Sequence, residues 1–377
     1  MVQTDKARIA SFFLELKREI GEGGCDPTTQ VSLSMRRTWI HNSSDYIRQR
    51  CCCPTFLIGA GGPWWSVLGS VFTDKFIVQR LTTMEWMVLS STDEYNRIYR
   101  NAKIFVALRN CLSKLQIFYN TLGDVSPLVA NQPHPRYFPY PSSFTAEDGS
   151  VTRFQYLKSL EEDAACVTYL AETRPDEHGS VPEKVVVKFV SRYGKEVHEF
   201  LAGETYAPSL RYYGPLSGTG FSGVFPGPAQ SAPPNPHSPS PMYMVVMDYI
   251  EARPNTPRDI SAQIRTILTR LHSEGYVFGD LRKQNILFDA DGKVKLIDFN
   301  WCGRYDMKIA DENLPEDVQD HIDQNKRRVQ AGGPYAYAQY PVSMSTLKGM
   351  WAPGMVPLGS IRPIHDWMMF KRLPWQG

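Results

Sequence analysis

The sequence predicts an α+β chain in two unequal parts, a smaller α/β N-terminal module over residues 1–122 and a larger α+β domain over residues 151–377. Three observations carry this. The chain has 377 residues, and one domain takes roughly 100–200. Short runs of β-branched and aromatic residues alternate with stretches at helical spacing on both sides of a break. In the break, residues 123–150, Pro127, Pro133, Pro135, Pro139 and Pro141 sit among Ser, Asn and Gly and no periodicity survives, which predicts a linker.

Residues 5–20 read as an amphipathic helix, because Ile9, Phe13, Leu16 and Ile20 recur at spacings of 4, 3 and 4. Residues 54–80 read as strands: Thr55-Phe56-Leu57-Ile58, then Trp64 to Phe72, then Phe76-Ile77-Val78 after a Thr-Asp-Lys turn. The break at Gly59-Ala60-Gly61-Gly62-Pro63 has no Gly-Lys-Ser/Thr ending and no Gly-x-Gly-x-x-Gly order before a helix, so it reads as a tight turn and not a phosphate loop. A long helix follows over about 92–120. Its apolar stripe is Ile98, Ala102, Phe105, Leu108, Leu112 and Leu115, a core face, with Thr92 or Asp93 as the cap.

Bulk properties exclude several classes. Lys+Arg 41 against Asp+Glu 39 leaves a formal charge of +2, which supports neither a nucleic-acid partner nor a membrane surface. No apolar run reaches about 18 residues, so no span is expected. The N-terminus lacks the apolar run and small-residue cleavage site of a signal peptide. Seven cysteines at irregular spacings predict a reduced, intracellular setting, cytoplasmic with the nucleus left open. Cys51-Cys52-Cys53 lacks Cys-x-x-Cys spacing and a His pair, and adjacent extended residues face opposite ways, so it is not read as a metal site.

The larger domain carries the chemistry. Lys184 to Val190 alternates as a strand, and a helix follows over about 191–203. A second Pro-, Gly- and Ser-rich stretch, 214–241, reads as a disordered loop between two strands. A helix over about 257–273 opens at Thr256-Pro257 with Asp259 in its first turn and buries Ile260, Ile264, Ile267, Leu268 and Leu271. Asp289-x-Asp291-Gly292 then turns a hairpin between Ile286-Leu287-Phe288 and Val294-Leu296-Ile297. Asp280 and Asn285 precede its first strand and Asp298 follows its second, so three oxygen-bearing side chains converge on one edge.

Phosphoryl transfer needs such a cluster: one carboxylate to orient the acceptor hydroxyl, and a carboxylate with an amide oxygen to hold Mg²⁺. Asp280-Leu281-Arg282-Lys283-Gln284-Asn285 resembles the catalytic loop of protein kinases, and Asp298-Phe299-Asn300 resembles their Asp-Phe-Gly magnesium motif. The resemblance implies a bilobal protein-kinase-like fold, with an N-lobe over 151–247 and a C-lobe over 248–377. It implies ATP and Mg²⁺ as cofactors and a protein as substrate. It implies Asp280 as catalytic base, Asn285 and Asp298 as metal ligands, and Arg282 as the basic residue at the transferred phosphate. Lys188 would be the ATP-binding lysine of its strand, held by Glu196 in preference to Glu199. Met242 to Glu251 resembles the strand entering the kinase hinge, where Met247 guards the adenine pocket and the backbone of Asp248 and Ile250 bonds adenine. Phe154 to Thr173 would supply the first two strands over the nucleotide.

Four features depart from that pattern. Phe278-Gly279 stands where His-Arg is usual, which removes the usual link to a phosphorylated activation loop. Asn300 replaces glycine. The stretch Leu160 to Val167, where the phosphate-covering loop falls, has no glycine and three acids, and would cradle phosphates poorly. No Ala-Pro-Glu follows, and the C-lobe is short. More narrowly, the chain resembles fungal proteins with a kinase-like C-terminus related to crinkler-type effectors. The carrying residues are Val187 to Gly194, Gly279 to Arg282 with Asn285-Ile286-Leu287, Ile297 to Gly303, Tyr340-Pro341, Trp351-Ala352-Pro353-Gly354 and His365-Asp366. In that group His usually precedes Gly279 and an acid usually occupies the Asn300 position. The segment 54–119 resembles the group's upstream module, which implies no activity. Three readings stay open: an atypical Ser/Thr protein kinase, a pseudokinase acting as a nucleotide-binding or interaction module, and a small-molecule kinase of the aminoglycoside or choline type. The sequence sets no oligomeric state.

Overall fold

The computed structural model describes residues 2–4, 7–89, 92–130, 132–146, 148–161, 167–175, 181–216, 242–251, 259–307, 314, 316, 319–320, 337–342, 344, 351 and 353–375. The chain is mixed α+β with several sheets. Contacts divide it into two compact units, Met1–Tyr140 with Asp163–Ala165, and Pro141–Glu162 with Cys166–Gly377.

In the first unit, β1 (Val2–Thr4) pairs with β2 (Ala7–Ile9). A five-stranded sheet is built from β3 (Phe12–Lys17), β4 (Thr55–Gly61), β5 (Trp64–Phe72), β6 (Phe76–Arg80) and β7 (Glu85–Trp86). The helix expected over 5–20 is therefore two strands. Phe12, Leu14 and Leu16 are exposed while Phe13, Glu15 and Lys17 turn inward, a period of two. Parallel pairing of Phe12–Lys17 with Phe56–Gly61 supplies the backbone bonds, and this tertiary ladder overrides an apparent 4-3-4 spacing. The parallel connection carries α1 (Pro27–Ile40) and α2 (Asp45–Arg48). The sequence reading has no counterpart for α1, although Asp26 before Pro27 is a start signal. Asp26 accepts from the N–H of Thr28 at 2.8 Å and of Thr29 at 3.3 Å. Val31, Met35 and Trp39 form its buried face.

The long helix is α3 (Glu94–Asn120). Asp93 stands at its N-cap position but accepts from the Asn96 side chain, not from the helix backbone. Leu108, Leu115 and Tyr119 bury the stripe's C-terminal part, whereas Ile98 and Phe105 stay exposed. The core of this unit gathers Trp39, Cys53, Leu57, Leu68 and Tyr119, with Trp39 stacked on Tyr119. Cys51 and Cys53 sit in that core, with Cys53 N–H donating to Cys51 Sγ. Among the described residues no cluster of three or more His, Cys, Asp or Glu could hold a metal.

In the second unit, β8 (Ser143–Thr145), β9 (Val151–Ser159), β10 (Thr168–Thr173), β11 (Lys184–Val190), β12 (Leu210–Pro215) and β13 (Tyr243–Asp248) form one antiparallel sheet of order β12-β13-β11-β10-β9-β8. Between β11 and β12 lies α4 (Lys195–Gly203). Most of the loop expected at 214–241, and residues 162–166 of the expected phosphate-covering loop, lie outside the described residues. Next come α5 (Ile260–Ser273), β14 (Tyr276–Val277), the hairpin of β15 (Ile286–Phe288) and β16 (Val294–Leu296), β17 (Gly303–Arg304) paired with β14, and α6 (Pro363–Phe370). Asp259 stands just before α5 without a capping bond; Thr256 and Pro257 lie outside the described residues. The α5 face of Ile260, Ile264, Ile267, Leu268 and Leu271 is buried against α4, the hairpin and α6. Among the described residues no helix is long and apolar enough to cross a membrane.

Candidate active site

The hairpin turn builds one wall of the site. Asp289 Oδ1 accepts from the N–H of Asp291 at 3.0 Å and of Lys293 at 2.9 Å, which closes the turn and fixes the register Ile286↔Leu296. Asn285 and Asp298 are thereby held at the hairpin's two ends, tied by Ile297 N–H donating to Asn285 O at 3.0 Å. Asn285 Nδ2 donates to Asp280 Oδ2 and to the Asp280 carbonyl, both at 2.9 Å, so the loop between them folds on a buried amide. Arg282 pairs with Asp280 Oδ2 at 3.1 Å from an exposed position.

Lys188 comes from the sheet. In register, Lys188 faces Val245 and Val186 faces Met247, so Lys188 shares a sheet face with Val186, Val190, Val245 and Met247. The residue is 6% exposed, and its ammonium meets Asp298 Oδ1 at 2.8 Å across 110 residues of sequence. Asp298 adopts φ +66°, a left-handed conformation that side-chain-bearing residues rarely hold and that concentrates at functional sites.

Neither glutamate reaches Lys188. The inward face of α4 is Val197, His198 and Leu201, which turns Glu196 and Glu199 outward. Glu196 pairs with Arg304 Nε at 3.1 Å and accepts from the Tyr276 hydroxyl at 3.5 Å. Glu199 pairs with Lys195 at 3.4 Å. Met247 is buried beside Val190 and Val245. Asp248 ends its strand with its N–H on Ser209 O at 3.0 Å and its carboxylate on Arg211. The Ile250 N–H, just past the strand, finds no acceptor among the described residues.

Electrostatically, burial pushes the Asp280 carboxyl up to about 6, offset in part by Arg282 and reinforced by Asp298. Its Oδ1 is buried with no donor among the described residues. Asp298 Oδ2 and the Asn285 amide oxygen take no part in the bonds these side chains make. Two hard oxygens on adjacent elements fit Mg²⁺, which keeps most of its shell for waters and phosphate oxygens.

Asp366 is a residue of the site for which the sequence reading has no role. Fully buried on α6, it accepts from Gly279 N–H at 2.7 Å and Phe278 N–H at 2.9 Å, and meets His272 Nε2 at 3.1 Å. These bonds anchor the peptide entering Asp280. A helix residue 87 positions downstream of Gly279 leaves no local signal of that. Phe299 stacks on His198 with centroids 4.3 Å apart, and Phe278 meets Phe299 edge-on. Desolvation drives His198 down to about 4, so it sits neutral in this stack. At Gly194, whose N–H donates to Phe299 O, a Cβ would lie 2.7 Å from Cys302 Cβ; only glycine permits that approach.

No family model matches the chain. It is 36% identical over 63 residues to maternal embryonic leucine zipper kinase of Xenopus tropicalis, covering 16% of this chain and 10% of that protein. It is 32% identical over 103 residues to serine/threonine-protein kinase pakA of Talaromyces marneffei, covering 24% of this chain and 14% of that protein. The chain is thus similar to protein kinases over part of its length, spans a small fraction of either relative, and is placed in no narrower family, the crinkler-related group included, by these likenesses.

Proposed function

We propose that residues 151–377 form a bilobal protein-kinase-like domain that transfers the γ-phosphoryl group of ATP to a protein hydroxyl, as an atypical Ser/Thr kinase. The observation that carries this reading is the 2.8 Å pair of Lys188 and Asp298, next to the Asp280–Asn285–Arg282 cluster. The Asp280 carboxylate is the acceptor for the substrate hydroxyl proton. The bond from the γ-phosphorus to its bridging oxygen breaks as one to the hydroxyl oxygen forms, and ADP leaves. Lys188 binds the nucleotide phosphates and Arg282 faces the transferred group. Asn285 and Asp298 would hold Mg²⁺, which when bound neutralises phosphate charge. The Ile250 N–H, without an acceptor among the described residues, is the donor for adenine. A carboxylate raised to about 6 is ionised at neutral pH yet still basic enough to take a proton.

The second reading, a pseudokinase, is favoured by the lack of any α4 acid at Lys188, whose one ion-pair partner among the described residues is Asp298. Incubation with radiolabelled ATP and Mg²⁺ separates the readings. Label on the chain itself or on a generic protein, lost in Asp298→Ala, is expected. Nucleotide binding without turnover supports the pseudokinase, and label confined to small hydroxyl compounds supports a small-molecule kinase.

A further inference from the structure

A cavity of about 440 Å³ opens beside the Asp280–Asp298 cluster. Arg282, which pairs with Asp280, lines it, as does Asn300, next in the chain but one to Asp298. Trp301 and Trp351 form an aromatic wall, with ring centroids 5.3 Å apart. Three of its lining residues carry incompletely matched groups. Arg192 is half-buried, and its guanidinium donates to two carbonyls, Gln339 O and Trp301 O, but meets no carboxylate among the described residues. Among the described residues, Trp351 Nε1 is a buried donor without an acceptor, and Asn300 Oδ1 a buried acceptor without a donor. A half-buried cation with no carboxylate partner among the described residues, next to an orphaned indole N–H, is matched by an anion. An orphaned amide oxygen beside them is matched by a backbone N–H.

We propose that this cavity is the acceptor-side specificity pocket, and that it takes a negatively charged side chain, carboxylate or phosphate, of a polypeptide that presents its hydroxyl to Asp280. Arg192 and the Trp351 indole N–H hold the anion, Asn300 takes a peptide N–H, and the tryptophans cover the side-chain stem. The role as acceptor pocket rests on the phosphotransfer reading; the binding of an anionic peptide does not.

The test uses the full chain and peptides of one sequence around a single serine, flanked by Glu, phosphoserine, Gln or Lys. Binding is read without nucleotide from tryptophan fluorescence, and transfer is read as kcat/KM with MgATP. A charge-assisted hydrogen bond predicts about tenfold tighter binding of the Glu and phosphoserine peptides than of the Gln peptide. The phosphoserine arm tells phosphate from carboxylate. Trp351→Phe, which keeps a ring, and Arg192→Gln should each erase most of that preference, and Arg192→Glu should favour the Lys peptide. Equal binding of the Glu, Gln and Lys peptides by the unmodified chain overturns the proposal, whatever the variants do. Acid-selective binding with no transfer to any peptide sinks the kinase reading alone. Transfer without charge preference sinks the pocket alone.

Discussion

Asp280 holds one carboxylate oxygen on Asn285 Nδ2 and beside Arg282, while its other oxygen is buried without a donor. Desolvation raises its proton affinity to about 6 from an ordinary value of 3.8. The native state then binds a proton that the unfolded chain has already released, so this group's contribution to stability falls as pH rises from 3.8 to about 6 and stays low above. Asp280→Asn removes that charge. It should stabilise the second unit at pH 7 by about 1–3 kcal/mol, the equivalent of a shift of this kind, and the gain should shrink at pH 4. The same change should lower transfer by about 10²–10⁴ if the carboxylate is the base. Urea titrations at both pH values check the first, and kcat the second. Transfer by the unmodified chain should itself decline as pH drops through about 6. A variant that unfolds earlier than its parent at pH 7 would show that the carboxylate is satisfied by groups outside this account. Asp280, Asn285 and Asp298 were legible in the sequence because a short hairpin joins them and its turn residues set the register. Glu196 was not. Which face of α4 turns inward depends on Val197, His198 and Leu201 meeting the core, and near-neighbour spacing leaves 196 and 199 equally eligible.

The hairpin brings Asn285 to Asp298, but α6 holds the peptide before Asp280 in place. Asp366 accepts both N–H groups of Phe278 and Gly279 and meets His272, all within a fully buried setting. Asp366→Ala leaves two buried donors without a partner, at about 1–3 kcal/mol each. Expected is a loss of several kcal/mol in denaturant titration, with faster amide exchange at Phe278 and Gly279. Unchanged exchange there would show that the loop is held by something else. Gly279 adds a second constraint on the same peptide. Its φ is +81°, and a Cβ would lie 2.9 Å from Ile361 Cδ1, so Gly279→Ala should destabilise as well, through backbone conformation and not charge. Elements were legible where local and tertiary preferences agreed, as in β11 and in α5 with its apolar face. They were not where the two diverged. Residues 12–17 carry a helical-looking spacing, yet parallel pairing with β4 decides their period. Asp26-Pro27 shows the converse, a readable helix start followed by Val31, Met35 and Trp39 at one-turn intervals.

The two compact units have hydrophobic cores that share no residue. One gathers Trp39, Leu57, Leu68 and Tyr119 with α1 and α3, and the other gathers Ile264, Leu268, Phe278 and Phe299 with α4, α5 and α6. Each core is the size a cooperative domain builds around, so the chain should not unfold as one two-state system. Calorimetry of the full chain should resolve two transitions. Lys188, Asn285 and Asp298, the residues of the proposed nucleotide site, all belong to the second unit, and a ligand stabilises only the state that binds it. MgATP at 100 times its dissociation constant should therefore add about 2.7 kcal/mol to one transition and nothing to the other. Lys188→Met should abolish the increment without moving the ligand-free first-unit transition, because Lys188 contributes to neither the sheet nor the core of that unit. An increment on both transitions would mean that the units unfold as one. A saturating nucleotide that moves neither would remove nucleotide binding from this site, and the kinase and pseudokinase readings would fall together.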